Sequence, residues 1–406
     1  MKTIDQIAER YVKLSLKIGQ HSEHYVDAYY GPQHWRPQAE TTALPQLKNE
    51  ALMLLANARQ FGTFSCGEKH HRMTFLRAHI KASVTYINQL QGNYLDFNSE
   101  CKALYDVQPP KFDESHFDEV LATLDELVPG TGDLNQRLDT YRQEFKVSKD
   151  KLDTVFGAAI NEARARTLAF IDIPEDENFN VELVNNQVWS AYNWYKGNSY
   201  SLIQLNTDHP IFIDRVIDLA AHEGYPGHHV FNALIEKHLV NDKGWMEYAV
   251  YNLFSPLSLL AEGSANYGIE VAFPWHERME FERETLFPLA GIPSHKAELY
   301  YQIQLVLHQL SYVDNMVAQR YLDGEIDKTQ AVVLLMKYAL STEQRSHQRL
   351  RFIEQNRAYV ITYNYGQDLV KEFLSSKIDN KNPAELWRGF SELLSRPRTG
   401  SMMQAA

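Results

Sequence analysis

Cysteine is nearly absent from this sequence: Cys66 and Cys101 are the two in 406 residues. Neither has neighbours at metal-type spacing. Two isolated thiols in so long a chain argue against a disulfide framework and point to a reducing compartment. Basic residues are also in deficit, 40 against 52 acidic ones, for a formal net charge of −12. Generic binding to nucleic acid or to an anionic membrane needs the opposite sign, because cationic side chains must replace counterions. No stretch approaches the roughly 18 apolar residues that span a bilayer. The opening residues reach Asp5 and Glu9 before any apolar run, so no secretory signal core is expected. There is no internal repeat, low-complexity tract or flexible Gly/Ser linker. These absences predict a cytoplasmic protein with no nucleic-acid or membrane partner. Nothing in them indicates an oligomeric state.

What is present is apolar surface in helical rhythm. Apolar residues make up 44% of the chain and aromatics 12%, enough for a large core. Leu152, Val155, Phe156, Ala159, Ile160 and Ala163 fall on one face of a helix, with Ser148 placed to cap it. Asp327 and Gln330 read as a capping box ahead of Ala331–Leu340, and Ser341 and Gln344 repeat the arrangement. Turn clusters fall at Tyr30-Gly31-Pro32, at Pro129–Gly132 and at Ile173–Asn178. The last separates an N-terminal helical lobe, 1–174, from a second lobe, 175–400, and the two are expected to form one unit around a cleft. A single segment breaks the rhythm. Tyr200–Thr207 reads as an extended strand ended by Asp208-His209-Pro210, and helical periodicity resumes at Ile213, Val216, Ile217, Ala220 and Ala221.

That helix delivers His222-Glu223-Gly224-Tyr225-Pro226-Gly227-His228-His229. In metallopeptidases a helical histidine binds zinc, and the glutamate after it serves as general base toward the bound water. Their usual second histidine lies four residues on, where this chain has Pro226. In an unbroken helix His222 and His229 would share a face but stand roughly 10 Å apart in height. Pro226 cannot donate a hydrogen bond to the His222 carbonyl and so disrupts the helix, and Gly227 opens backbone angles closed to other residues. A bulge of two extra residues would bring His228 to the second ligand position, with His229 as the fallback. The pair His276-Glu277 reads as a solvated helix face, and His70-His71 as solvated residues near a helix start.

A catalytic zinc takes three protein ligands and an open position. Glu262 is the best third candidate: Ser255 and Pro256 begin a helix whose face of Leu257, Ala261, Ser264, Ala265 and Gly268 is mostly small. Glu270, two turns on, is the alternative. A phenol or guanidinium facing the metal would stabilise an oxyanion, and Tyr363 and Arg357 are the candidates, with Tyr359 behind them. The strand at 200–207 suits either an edge that receives extended peptide by main-chain bonds or a short stabilising hairpin.

With these residues in view, the chain resembles the bacterial proteins carrying the domain of unknown function 885. Their pattern His-Glu-x-x-Pro-Gly-His-His is matched by His222–His229, and their Glu-Gly-x-Ala by Glu262–Ala265. A family Tyr-x-x-Gly looks like Tyr363–Gly366, and Asp27–Pro32 is similar to an N-terminal signature in part of the family. Many members carry Pro-Gly-Gln before that tyrosine, where this chain reads Asn356–Thr362. The resemblance implies a mainly α, large helical zincin-like (gluzincin-type) fold with a short edge strand or small sheet beside the active-site helix. It also implies His222, His228 and Glu262 as metal ligands and Glu223 as base. The expectation is a zinc metallopeptidase acting on a peptide or small amide. The alternatives are a metal-dependent hydrolase of a non-peptide amide or ester, and a non-catalytic metal-binding helical protein.

Overall fold

The computed structural model describes residues 3–38, 40–62, 66–187, 189–208 and 210–404. His209, part of the turn expected after the central strand, lies outside them. The protein is mainly helical with a small sheet.

Local chemistry starts many of the helices. Thr3, Asp96, Asp133 and Asn382 each accept a backbone N–H from the first turn of the helix that follows, satisfying donors that have no partner in the helix itself. The Asp327–Gln330 capping box is present in full. Ser148 holds the N-cap position of helix Lys149–Leu168 but makes no capping bond; the helix is held by its apolar face, with Leu152, Val155, Phe156, Ala159 and Ala163 buried. The next expected cap moves by one residue. Thr342, not Ser341, accepts the Arg345 N–H, while the Ser341 hydroxyl is engaged with Ser346 Oγ at 2.6 Å. His276 and Glu277 are exposed, as a solvated face requires.

Among the described residues, five strands form two sheets. β1 (Val26–Tyr29) pairs antiparallel with β5 (Val250–Asn252). β2 (Asn178–Val184), β3 (Ala191–Gly197) and β4 (Tyr200–Asn206) make a three-stranded sheet in the order β2-β4-β3. β4, the strand expected from sequence, is hydrogen-bonded on both sides, parallel to β2 and antiparallel to β3. It therefore has no free edge to offer a peptide. Its pairing with β3 through a short turn is the hairpin alternative, and Ile203 and Leu205 pack into the core beneath it.

One hydrophobic core runs through the described residues, and buried polar contacts cross position 174. Asn252 Nδ2 donates to Tyr11 Oη at 2.9 Å and to Ser15 Oγ at 2.8 Å. Arg72 forms a buried pair with Glu247 at 2.6 Å. Among the described residues no helix is long and apolar enough to cross a membrane.

Candidate metal centre

The segment Ile213–Leu219 is α-helical, but the chain widens to a π-helical turn over Ala220–Gly224 before His228–Ile235 resumes the α-helix. Between them lies the Tyr225–Pro226 peptide, which is cis. Gly227 folds back so that its N–H reaches the Ala221 carbonyl at 2.9 Å. Its φ is −75°, so a left-handed backbone is not what demands glycine. Space is: an added Cβ would lie 1.9 Å from the His222 carbonyl oxygen. This local detour brings the imidazoles of His222 and His228 together, with centroids 4.6 Å apart and planes at 89°.

Helix Pro256–Ala272 supplies the third group. Glu262 Oε2 lies 3.3 Å from His222 Nε2 and 3.5 Å from His228 Nε2. Among the described residues, these three side chains form a cluster able to hold a metal, their ligand atoms all within 4.8 Å of one another. His222 and Glu262 are fixed from behind. Asn266, one turn beyond Glu262, meets His222 Nδ1 at 2.9 Å and donates through Nδ2 to the Tyr363 carbonyl at 2.8 Å. The Tyr359 hydroxyl donates to Glu262 Oε1 at 2.7 Å. Burial alone would raise the Glu262 carboxyl, but the His228 and His222 imidazoles outweigh it and hold the group well below the carboxylate range. The alternative ligand, Glu270, is not in the cluster: its oxygens accept from Gln367 Nε2 and Lys371 Nζ, each at 2.7 Å.

A close helix crossing sets the height of Glu262. Helix Ile361–Ser375 packs on helix Pro256–Ala272 where Gly263 meets Gly366; a Cβ on Gly263 would lie 2.3 Å from the Gly366 backbone. The Glu-Gly-x-Ala and Tyr-x-x-Gly motifs are thus two sides of one contact. Tyr363 packs edge-on against Tyr359, centroids 5.7 Å apart. Burial, then the Glu262 charge, pushes the Tyr363 phenol far up, with Glu223 adding to the effect.

Glu223 is 5% exposed, and its Oε2 has no hydrogen-bond partner among the described residues. Its backbone carbonyl accepts from Asn193 Nδ2 of β3 at 2.7 Å. Burial raises its carboxyl from 4.5 to about 7; His222 works against that shift and Glu262 adds to it.

Two sequence candidates stand elsewhere. His229 is fully buried, with Nδ1 on Ser201 Oγ and Nε2 on Glu177 Oε2, both at 2.9 Å. Both ring nitrogens are occupied, so the fallback ligand role falls away. Arg357 does not join the cluster. Its Nε donates to Glu100 Oε2 at 2.8 Å and its guanidinium lies over the Tyr94 ring. A fully buried carboxylate such as Glu100 needs a compensating cation, and Arg357 provides it.

Three residues at the site carried no role in the sequence reading. Asn266 lies four positions after Glu262, the spacing that shares a helix face, and that signal was available. Asp27 accepts a hydrogen bond from the Tyr192 hydroxyl. Burial raises its carboxyl to about 6, with Tyr192 and His228 opposing and Glu262 adding. Asp27 and Tyr192 meet through the packing of β1 beside β3, which no local pattern announces.

The chain matches no family model and no curated protein. Among solved structures it is similar to "the putative lipoprotein from Colwellia psychrerythraea", with a TM-score of 0.54 and 14% identity over 92% of this chain and 70% of that one. At that identity the likeness concerns fold alone. The resemblance to the 885 family therefore rests on the quoted motifs.

Proposed function

We propose that the protein is a zinc-dependent hydrolase, a metallopeptidase built on a zincin-like arrangement. The observation that carries this reading is the convergence of His222, His228 and Glu262 beside a buried glutamate with an unpartnered oxygen. The donor set fits the group. Two imidazoles and one carboxylate are zinc ligands of catalytic type, and Glu262 Oε2, buried with no hydrogen-bond partner among the described residues, is an atom that a cation would satisfy. When bound, the ion would lower the pKa of a water and polarise a carbonyl.

The chain's own residues supply the rest. Glu223 accepts a proton from the attacking water and returns it to the leaving amine. A carboxyl poised near neutrality suits both halves of that exchange. Asn266 holds the ring orientation of His222, and Tyr359 holds Glu262, as outer partners of metal ligands do. Tyr363, whose phenol feels the charge of both carboxylates, donates to the developing oxyanion. Cytoplasmic residence, expected from the scarcity of cysteine, belongs to the same proposal, and cell fractionation checks it.

Metal analysis of protein purified without added metal is the test. Wild type should carry about one equivalent and His222→Ala far less; equal contents would remove the site. Peptide hydrolysis should fall by at least ~10²-fold in Glu223→Gln, and equal rates would remove the base.

A further inference from the structure

A second polar feature lies on the helix that leads into the metal cluster. A cavity of about 200 Å³ is lined by Arg142, Arg215 and Arg345 together with Phe212, Leu219 and Asn206. Asp218 accepts from Arg215 at 2.9 Å but is shared with Arg278 at 2.8 Å. Asp139 lends a weaker attraction to Arg345. Arg142 stacks over Phe212, 4.6 Å from the ring centroid, and its Nε is buried with no partner among the described residues. Neither Arg142 nor Arg345 forms a salt bridge among the described residues. In a chain of net charge −12, three guanidiniums lining one cavity are conspicuous, with Arg142 half-buried and Arg215 and Arg345 exposed to whatever enters it. Burial, followed by the charge of Arg142, lowers the Arg345 guanidinium, the response of a cation short of a counter-charge.

The position of this cavity connects it with catalysis. Arg215, Leu219 and Glu223 follow one another at four-residue steps, so they run along one side of the motif helix. Eight residues of α-helix would rise roughly 12 Å, and the π-helical turn at Ala220–Gly224 brings the span to about three residues of extended peptide. Arginine forks match carboxylates in geometry as well as charge.

We propose that the Arg142–Arg215–Arg345 cavity receives a carboxylate of the substrate, so that the enzyme selects anionic peptides and sets the distance between that carboxylate and the bond cleaved. This rests on the hydrolase reading above for its substrate class, but binding can be read without turnover. The carboxylate is either a peptide C-terminus or an acidic side chain.

The test is a fluorescence titration of the Glu223→Gln protein, which keeps the peptide intact. The probes are dansyl-pentaalanine as free acid, the same peptide as C-terminal amide, and amides carrying one glutamate at each position in turn. At least one carboxylate peptide should bind about ten-fold tighter than the uncharged amide. The position of the favoured carboxylate separates a C-terminal from a side-chain source. Adding Arg142→Gln and Arg345→Gln should reduce the preference below about two-fold, with the circular dichroism spectrum and Tm unchanged; Arg345→Glu should reverse it. Absence of saturable binding, a preference under about three-fold, or one that survives the double substitution would overturn the assignment. Hydrolysis by the wild type is read separately. If no peptide is cut while the arginine-dependent preference holds, the hydrolase reading fails and the carboxylate site stands.

Discussion

Glu262 and Glu223 are buried in the same cluster, and their surroundings push them in opposite directions. Two imidazoles hold Glu262 ionised, whereas little faces Glu223 to offset its burial. Separated carboxyl affinities of this kind divide roles between a ligand and a proton carrier. In the metal-free protein the raised Glu223 carboxyl has a consequence for stability. A group raised from 4.5 to about 7 opposes folding by an amount on the order of 3 kcal/mol. The sign follows from linkage: stability is fully present below the unfolded value and is lost as pH rises through about 7. Metal-free Glu223→Gln should therefore exceed the wild type in urea stability at pH ~8, and the gap should close by pH ~5. A gap that does not change with pH would refute the assignment. Tyr359 allows a second measurement at this scale. Tyr359→Phe removes the only phenol bonded to Glu262 among the described residues and should weaken metal affinity by about ten-fold or more, read by competition with a chelator, while the fold stays intact. Unchanged affinity would reduce Tyr359 to packing.

Elements were legible in the sequence to the extent that one period governed them. The face from Leu152 to Ala163 announced its helix because burial there repeats at the helical step. β4 announced itself too, but not its place. Both of its partners, β2 and β3, have mixed or exposed patterns, so nothing local revealed that it is central. The π-helical turn at Ala220–Gly224 was foreseen only as a bulge, from what Pro226 cannot donate. The glycine crossing was invisible as a contact, since Gly263 and Gly366 each look ordinary until their helices meet. It now permits a prediction. Gly366→Ala would set a Cβ 2.7 Å from the Leu259 carbonyl oxygen, and Gly263→Ala one 2.3 Å from Gly366 backbone. Either should cost about 1–3 kcal/mol or more in denaturant unfolding. Because the helices must separate, Glu262 and Tyr363 should shift and metal content should fall with stability. Full metal content in a destabilised Gly263→Ala protein would show that this crossing does not set the height of Glu262.

At the scale of the whole molecule, the cluster depends on chain segments that sequence could not pair. Arg357 read as an oxyanion donor because its partner, Glu100, lies 257 positions away. Asp27 reaches the site only because β1 joins β5 and packs beside β3. Two buried ties across the core should therefore behave differently when cut. Arg72→Met strands Glu247, whose side chain is fully buried, and should cost about 3–5 kcal/mol. Among the described residues neither member of that pair bonds a metal ligand or a residue that holds one, so affinity for metal should not move. Glu100 also accepts the Ala358 N–H at 3.2 Å, and Ala358 precedes Tyr359, the residue that holds Glu262. Glu100→Gln should cost less in stability, about 1–3 kcal/mol, because the amide retains hydrogen-bonding capacity and Arg357 is partly exposed. It should nonetheless weaken metal binding, since slack in this segment passes directly to the Tyr359 hydroxyl. Paired unfolding and metal-competition titrations on the two variants decide the matter. If metal affinity tracks lost stability in both, the site feels only the general integrity of the core. A loss confined to Glu100→Gln would make the Glu100–Arg357 pair a positioning device acting through Tyr359.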